Sequence, residues 1–493
     1  MRNSIRFIRK GRLVELRDFD PNTTLLDYLR EVEGARGTKE GCGEGDCGAC
    51  TISLGRLRDG AIVYEPVNAC IQLLGMVDGS EVVTVEDLAD GDKLHPVQSA
   101  MVDNHASQCG FCTPGFVMGL FTLYQATDDA VSRGQVNDWI AGNLCRCTGY
   151  RPIIDAGIDA CDSPRDDKFR KEAGDKAGLL AFLADREDVL VGDENRFFAA
   201  PATLDHLAVL YDAHPDATIV AGATDVGLWI TKQLRDLPKI IHLGRVRGFD
   251  HIEDTGYELL IGAGATFAQV EPWLAGIDPD LGELLRRLGS KQVRASGTLA
   301  GNLANGSPIG DSPPALIALN AKIELRKGTA VRSLPVEEFY IDYGKQDRQD
   351  GEFVAGLLVP KLNRDQIFRC YKITKRFDQD ISSVMGAFRF TVDEDGRIAE
   401  ARIAYGGLAA IPKRASDAEK ALYGAQLRDS HAWSKAFAAL RSEFQPIDDH
   451  RASARYRTET AHALLGKALI ESAGTSSRRT RIVGQREETV DGV

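Results

Sequence analysis

Cysteine is the residue type whose spacing carries the clearest chemical signal in this sequence. Eight of the ten cysteines lie between Cys42 and Cys147, whereas Cys161 and Cys370 stand apart and are expected to be ordinary core residues. In a reducing cytosol, clustered thiols favour metal ligation over disulfide formation. We therefore expect metal chemistry in the first third of the chain and a different chemistry in the remainder.

The first cysteine group has the pattern C-x4-C-x2-C with a fourth cysteine after a gap of nineteen residues. Its segment GCGEGDCGAC is rich in glycine, which lets the backbone fold tightly and brings peptide N–H groups close to sulfur. This spacing is typical of plant-type [2Fe–2S] ferredoxins. Structural zinc is the alternative, although zinc sites favour paired short spacings. The expected ligands are Cys42, Cys47, Cys50 and Cys70.

The second cysteine group combines a C-x2-C pair with a C-x-C pair, in the loops QCGFCTPG and NLCRCTG. Spacing alone leaves zinc and a second iron–sulfur cluster open. Two such groups in neighbouring regions favour electron transfer, because each cluster carries one electron and two in series form a relay. The expected ligands are Cys109, Cys112, Cys145 and Cys147.

The elements that position these cysteines can be predicted from hydrophobic periodicity. SIRFIRKGRLVEL predicts a hairpin around Lys10-Gly11, and TTLLDYLREV predicts a helix with Leu25, Leu26, Leu29 and Val32 on one face. Four helices are expected after residue 91, with Thr113-Pro114 as the start of one. The predicted regions are an α+β domain at 1–90, a helical domain at 91–162, a charged linker at 163–192, an α+β domain at 193–365, an α+β C-terminal domain at 366–475 and a disordered tail at 476–493.

Composition excludes several functional classes. The 493 residues are 43% hydrophobic, which is enough for a core in every domain, and the net charge of −12 argues against a general nucleic-acid binder. No apolar run approaches the roughly 18 residues of a membrane-spanning helix. The N-terminal residues are interrupted by charges, unlike a signal peptide, so we expect a cytoplasmic protein.

Two glycine-rich segments in the second half of the chain indicate a phosphate-containing cofactor. They are IVAGATDV (219–226) and SGTLAGNLANGSPIGDSPPAL (296–316), and their small residues allow main-chain N–H groups to approach a pyrophosphate. For either segment alone, the alternative is an ordinary glycine-rich turn that binds no cofactor. A third segment, GAGATF, fails the G-x-G-x-x-G pattern because Phe267 occupies the third glycine position.

Three segments resemble the iron–sulfur portion of the xanthine dehydrogenase/aldehyde oxidase family. They are GCGEGDCGACTISL, QCGFCTPGFVM and NLCRCTGYRPI, and all eight cysteines match the family positions. The two glycine-rich segments and the region 366–475 resemble the FAD-binding and C-terminal domains of the same family. The resemblance implies two [2Fe–2S] clusters and FAD. It also implies an α+β multidomain fold with a β-grasp ferredoxin-like domain, a four-helix iron–sulfur domain, a two-part α+β FAD-binding domain and an α+β flavoprotein C-terminal domain.

The resemblance also assigns flavin contacts. The stretches 219–226 and 298–302 would wrap the diphosphate, and Asp311 would hold a sugar or a phosphate-adjacent group. Val354 would contact the adenine or the flavin, Lys372 would lie near the cofactor, and Leu288 falls where some family members place an aromatic ring over the flavin. The expected FAD contacts are Ile219, Val220, Ala221, Gly222, Ala223, Thr224, Asp225, Val226, Leu288, Thr298, Gly301, Asn302, Asp311, Val354 and Lys372.

By the same resemblance, the chain would be the iron–sulfur/FAD subunit of a bacterial molybdenum enzyme that oxidises hypoxanthine and xanthine. A large partner subunit would hold the molybdopterin and the substrate site, so no catalytic residue is expected on this chain. Electrons would leave FAD for NAD, and the assembly would be a dimer of heterodimers. The alternatives are an equivalent subunit for an aldehyde or N-heterocycle, and a zinc-stabilised scaffold without catalytic activity.

Overall fold

The computed structural model describes residues 1–474, which divide into two units. The first unit contains Met1–Arg247 and Gly289–Gly297, and the second contains Gly248–Leu288 and continues from Thr298. Both units combine helices and sheets, so the α+β multidomain class predicted from the sequence is confirmed. The predicted disordered tail, 476–493, lies outside the described residues.

The first unit begins with a five-stranded mixed sheet in the order β2-β1-β5-β3-β4. The predicted hairpin is confirmed, because its turn residues Lys10 and Gly11 have φ values of 52° and 69°, as a type I′ turn requires. The strands are β1 (Ile5–Arg9), β2 (Arg12–Leu16), β3 (Thr51–Arg58), β4 (Ala61–Asn68) and β5 (Glu81–Val83), with short 3₁₀ turns at Leu74–Val77 and Val85–Asp87.

The helix predicted after this hairpin is shorter than its apolar pattern indicates. α1 (Leu25–Asp27) is a single turn, and the chain continues as a wider π-type turn over Tyr28–Val32. Leu25 and Leu29 are buried, but Val32 is 72% exposed, so its placement on the buried face is wrong. The wider turn changes the rotation per residue and directs Val32 away from the core.

Four helices follow, as predicted. Residue pairs three or four apart fall on one helical face, and the apolar row of the second helix is fully packed: Phe116, Leu120, Leu123 and Tyr124 are each at most 3% exposed. The helices are α2 (Pro96–Asp103), α3 (Thr113–Ala126), α4 (Arg133–Ile140) and α5 (Arg151–Asp162).

The segment 163–192, for which the sequence predicts a linker, is instead built into the first unit. It contains α6 (Lys168–Lys171), α7 (Ala173–Leu183) and the start of the next sheet. Leu180 and Leu183 pack against Ile8 of β1. Lys176 Nζ lies 2.9 Å from Glu81 Oε1 on β5, and both side chains are buried. A few apolar residues and one paired charge therefore anchor a segment whose overall composition resembles a linker.

The first unit ends with a four-stranded sheet in the order β6-β7-β9-β8, in which β9 pairs in parallel with both β7 and β8. A helix at Lys291–Ser296 belongs to the same unit. The remaining elements are β6 (Val189–Gly192), β7 (Phe197–Ala200), α8 (Leu204–Ala213), β8 (Thr218–Val220), α9 (Val226–Thr231) and β9 (Lys239–His242).

The second unit contains a five-stranded sheet in the order β10-β11-β16-β12-β13, with β16 antiparallel to both neighbours. Its strands are β10 (Ile252–Asp254), β11 (Glu258–Gly262), β12 (Lys322–Lys327), β13 (Ala330–Pro335) and β16 (Phe353–Pro360), beside a hairpin of β14 (Tyr340–Asp342) and β15 (Lys345–Gln346). Its helices are α10 (Phe267–Ala275), α11 (Pro279–Arg286), α13 (Leu299–Asn305), α14 (Ser312–Ala318) and α15 (Val336–Phe339), where α12 denotes the Lys291–Ser296 helix of the first unit.

The second unit continues with a four-stranded antiparallel sheet covered by helices. The core between them is aromatic and aliphatic, and it includes Phe388 and Phe390 of β18 and Leu465 of α18. The elements are β17 (Gln366–Ile373), β18 (Val384–Val392), β19 (Ile398–Gly406), β20 (Lys413–Arg414), α16 (Ser416–Leu422), α17 (Ser434–Glu443) and α18 (Ala454–Ala473), with a 3₁₀ turn at Ser430–Trp433. Across residues 1–474, no helix has the length and apolarity to cross a bilayer.

A buried histidine at the end of β9 makes the stability of the first unit depend on pH. Burial lowers the pKa of His242 from its ordinary value of 6.5 to about 4, and its Nδ1 donates to Val220 O at 3.2 Å. Between these two values the unfolded chain binds the additional proton, so stability falls as the pH falls. We expect His242 to cost about 2 kcal/mol of unfolding free energy between about pH 7.5 and about pH 5.

The test is urea unfolding of the natural protein and of His242→Asn, which keeps a donor for Val220 O but does not titrate. The stability difference between the two proteins should shrink at the lower pH. A difference that is the same at both pH values would contradict the assignment.

Candidate functional site

The first cysteine group surrounds a loop in which backbone amides point at sulfur. Cys42 Sγ accepts hydrogen bonds from the N–H groups of Glu44, Asp46 and Cys47 at 3.4, 3.4 and 3.3 Å. Such amide donors stabilise a thiolate and are a general feature of iron–sulfur ligand loops. The glycine-rich backbone predicted for this loop therefore allows its N–H groups to approach the sulfur.

The four thiols of the first group are in mutual contact. Hydrogen bonds from the thiols of Cys47 and Cys70 hold the pKa of Cys42 far below its usual range, and the same contacts raise the pKa of both donors. Cys50 Sγ lies 3.2 Å from Cys70 Sγ. A metal cluster binds thiolates and replaces these shared protons. The residues present therefore fit the cluster predicted for this group.

The second cysteine group lies at the surface of the first unit. Cys109 and Cys147 are exposed and in contact with each other, whereas Cys112 and Cys145 are half-buried and form the other contact. Burial, and then the Cys145 thiol, raise the pKa of Cys112 to about 12. The structure thus brings all four predicted residues of this group together at the N-terminal end of α3 and in the loop before α5.

A tyrosine that the sequence analysis did not single out supports the second group. Tyr150 has a left-handed φ of 69°, which is costly for a residue other than glycine, and its hydroxyl accepts a hydrogen bond from Cys145 N at 2.9 Å. The strained backbone therefore turns the side chain back onto its own ligand loop. Its position directly after the C-x-C run was the available sequence signal.

The two ligand loops are joined by direct hydrogen bonds. Leu144 N donates to Cys47 O at 3.0 Å, and Asn143 Nδ2 donates to Gly48 O at 2.9 Å. Gly48 has a φ of 70°, and a Cβ there would lie 2.2 Å from Gly142 O, so only glycine fits. The peptides beside Cys47 and Cys145 therefore touch without an intervening side chain.

The residues expected to contact FAD are divided between the two units. Ile219 to Val226 lie in the first unit, on the end of β8, the following loop and the start of α9. Ala223 in this loop has a left-handed φ of 57°. Left-handed backbone is a component of the main-chain N–H concavities that bind anions, so the loop fits its predicted diphosphate role. The residues of the second unit are Leu288, Thr298, Gly301, Asn302, Asp311, Val354 and Lys372.

Within the second unit, the structure brings Asp311 and Lys372 together. Lys372 Nζ lies 2.5 Å from Asp311 Oδ2, and Ser382 Oγ donates to Asp311 Oδ1 at 2.5 Å. Both charged side chains are at most 7% exposed. Asn302 Oδ1 accepts from Ser312 Oγ at 2.5 Å in the neighbouring turn. A buried carboxylate held by two donors is oriented and retains lone pairs for a further donor. It therefore fits a role in cofactor binding.

Four family models match successive parts of the chain. Residues 8–71 match the 2Fe-2S iron-sulfur cluster binding domain, 84–157 the [2Fe-2S] binding domain, 194–362 the FAD binding domain in molybdopterin dehydrogenase and 369–472 the CO dehydrogenase flavoprotein C-terminal domain. The chain therefore carries two 2Fe–2S domains and an FAD-binding domain. These matches favour iron over the zinc alternative.

The chain is similar to proteins of several different enzymes. The chain is 29% identical over 508 residues to xanthine dehydrogenase of Emericella nidulans, covering 90% of this chain and 36% of that protein. It is 30% identical over 459 residues to aldehyde oxidase of Homo sapiens, covering 82% and 34%. A chain of reconstituted CO dehydrogenase from Oligotropha carboxidovorans is 25% identical with a TM-score of 0.53, covering 58% of this chain and 99% of that chain. The chain spans about a third of the length of these curated relatives.

The domain order and the two cysteine groups define an iron–sulfur flavoprotein that transfers electrons. The chain belongs to the molybdenum hydroxylase family, and its domains fit the iron–sulfur/FAD subunit of that family, which confirms the family predicted by resemblance.

Substitution of one cysteine from each group tests the assignment of ligands. Cys47→Ser and Cys112→Ser should each remove one of two distinct EPR signals of the reduced protein, because each cluster needs four ligands. Total iron should fall from about four per chain to about two in each variant. Cys161→Ala, a buried cysteine outside both groups, is the matched control and should retain both signals. A ligand variant that keeps both signals would contradict the division into two groups.

Loss of the Asp311 carboxylate tests the flavin assignment. Asp311→Ala should weaken FAD binding about ten- to hundredfold, since a charged hydrogen bond contributes roughly 1.5–3 kcal/mol. The measurement is flavin retained after dialysis, with the iron signals as an internal reference. Glu419→Gln breaks another ion pair of the second unit, between the buried Glu419 and the half-buried Arg414, and is the control. Equal flavin loss in both variants would show general destabilisation rather than a cofactor contact.

Proposed function

We propose that this chain is the electron-transfer subunit of a xanthine dehydrogenase. Electrons from a molybdopterin-binding partner would enter the second cysteine group, pass to the first group and reach FAD. When bound, the clusters carry single electrons, and FAD converts pairs of them into a hydride for NAD. The residues of this chain would bind these groups and fix their separation.

The observation that carries this proposal is the contact between the first cysteine group and the predicted diphosphate segment. Gly227 follows that segment directly, and a Cβ there would lie 2.7 Å from the carbonyl oxygen of Ile71, the residue next to Cys70. Lys232, just beyond α9, donates through Nζ to Cys42 O. One end of α9 therefore contacts the residue next to a proposed ligand, and the residue after its other end contacts a proposed ligand, which supports electron transfer from this group to the flavin.

Solvent exposure supports the order of the relay. The thiols of Cys109 and Cys147 are exposed, so a second protein can approach them, whereas Cys50 and Cys70 are 1% and 3% exposed. The exposed group suits electron entry and the buried group suits internal transfer. The hydrogen bond from Leu144 N to Cys47 O connects the two ligand loops directly through the backbone.

The substrate would be hypoxanthine or xanthine, bound by the partner in a cytoplasmic dimer of heterodimers. Likeness to xanthine dehydrogenases supports this choice. The likeness to aldehyde oxidase is of similar strength, so an equivalent subunit for an aldehyde or N-heterocycle is the second candidate. In either case the substrate site would lie on the partner, because the domains of this chain are accounted for by iron–sulfur and flavin binding.

Activity of the isolated chain tests the proposal. It should oxidise NADH with an artificial dye as acceptor, because that reaction needs only FAD with an accessible face. It should not reduce NAD with xanthine or hypoxanthine, since hydroxylation requires a metal-bound oxygen nucleophile and a base. Adding the co-purified partner should restore purine-dependent NADH formation, measured by the absorbance of NADH.

The Cys112→Ser and Cys161→Ala variants test the electron path in the same assay. In the reconstituted complex, Cys112→Ser should abolish purine-dependent NADH formation, and Cys161→Ala should retain it. Purine turnover by the chain alone would refute the assignment of substrate oxidation to the partner subunit. A complex that turns over an aldehyde or an N-heterocycle but no purine would select the second candidate, and failure of the FAD-loaded chain to oxidise NADH would exclude NAD as the acceptor.

A further inference from the structure

Gln292 is a buried polar residue that reaches the junction between the two ligand loops from a distant part of the sequence. It lies on α12 and is 1% exposed. Its Nε2 donates to Thr51 Oγ1 at 3.0 Å and to Asn143 Oδ1 at 2.9 Å. Thr51 immediately follows Cys50, and Asn143 lies two residues before Cys145. One amide group therefore bonds to a residue of each ligand loop.

The polar atoms of this junction form a closed network. Thr51 Oγ1 donates to Gly48 O at 2.7 Å and accepts from Asn143 Nδ2 at 3.2 Å and from Gln292. Asn143 Nδ2 also donates a hydrogen bond to Gly48 O. The Thr51 hydroxyl and the Asn143 amide each donate and accept hydrogen bonds here, so the network has one consistent arrangement of hydrogens.

The orientation of the Gln292 amide is fixed by its surroundings. Turning it over would place its oxygen against Asn143 Oδ1, an acceptor facing an acceptor. In the described part of the chain Oε1 has no hydrogen-bond partner, and a Cβ on Gly142 would lie 2.1 Å from it. The absence of a side chain at Gly142 thus makes the space that the amide fills. A buried oxygen left unbonded costs free energy, which the two donated bonds offset.

We propose that Gln292 is a positioning residue that fixes the two iron–sulfur ligand loops relative to each other. This inference rests on the proposed assignment of the eight cysteines as cluster ligands. The loops also share backbone contacts, but Gln292 supplies the donor that holds the side chain of Asn143 in place. Because Asn143 and Thr51 both bond to Gly48 O, Gln292 controls the charge environment of a carbonyl inside the first ligand loop as well as its distance from the second.

EPR of the reduced holoprotein measures this role directly. Two paramagnetic clusters in proximity show a spin–spin splitting that depends on their separation and relative orientation. Gln292→Leu shortens the side chain by one bond, keeps most of its volume and removes the donor. The splitting should narrow or disappear, and the midpoint potential of the cluster bound by the first group should shift, while about four irons per chain remain bound.

Two further variants separate positioning from general packing. Thr51→Val removes the hydroxyl that accepts from Gln292 and should reproduce the spectral change, whereas Thr51→Ser keeps the hydroxyl and should restore the natural splitting. Lys291→Met is the matched control, because Lys291 lies beside Gln292 on α12 and packs its Nζ 4.3 Å from the Trp139 ring centroid. It should leave both signals and their splitting as in the natural protein.

Each outcome has a defined meaning. Unchanged splitting and potentials in both Gln292→Leu and Thr51→Val would overturn the inference, and so would the same change in Lys291→Met. If Gln292→Leu fails to bind iron, the comparison of Thr51→Val with Thr51→Ser decides. Absence of iron–sulfur signals from the natural protein would instead refute the proposed ligand assignment, which is a different failure.

Discussion

The backbone hydrogen bond from Leu144 N to Cys47 O is the contact on which the arrangement of the first unit depends. It joins peptides that lie beside a proposed ligand of each group, so the β-sheet domain and the helical domain must meet at this point. A side chain at Gly48 would separate the two loops and one at Gly142 would collide with Gln292, and the sequence has glycine at both positions. The fold of each domain can then be understood as a support that presents one ligand loop to the other.

The two cysteine groups share a ligand chemistry but differ in environment. Cys42 Sγ accepts three backbone N–H bonds in a partly enclosed loop, whereas Cys145 Sγ accepts two and its group reaches the surface. Hydrogen bonds to sulfur and exposure to solvent are the main protein contributions to the reduction potential of an iron–sulfur cluster. Two clusters of the same type can therefore have different potentials in one chain.

Sequence reasoning identified features that depend on neighbours within a few residues. The cysteine spacings, the Lys10-Gly11 turn and the apolar row of α3 are all local, and each determines its own geometry. The helices in 163–192 were missed, because a few apolar contacts and the Lys176–Glu81 pair outweigh a charged composition. Composition averages over such contacts and does not register them.

The supporting residues were beyond the reach of sequence patterns for a different reason. Gln292 and Thr51 are 241 positions apart, so no periodicity relates them. The division of the residues expected to contact FAD between two units is equally a matter of tertiary structure, since residues 219–226 and 298–362 belong to one matched domain. The two glycine-rich segments share an abundance of small residues, which indicates a binding function but does not define the boundary between the two units.

The discontinuity of the first unit has a consequence for how the protein is made. A ribosome releases Met1–Arg247 first, then the portion Gly248–Leu288 that belongs to the other unit, and only afterwards the segment Gly289–Gly297 that carries α12. All eight proposed ligands therefore leave the exit tunnel well before the helix that completes their junction. During synthesis the cysteine loops are therefore present before Gln292 of α12 can join them, and the connectivity of the chain imposes that order.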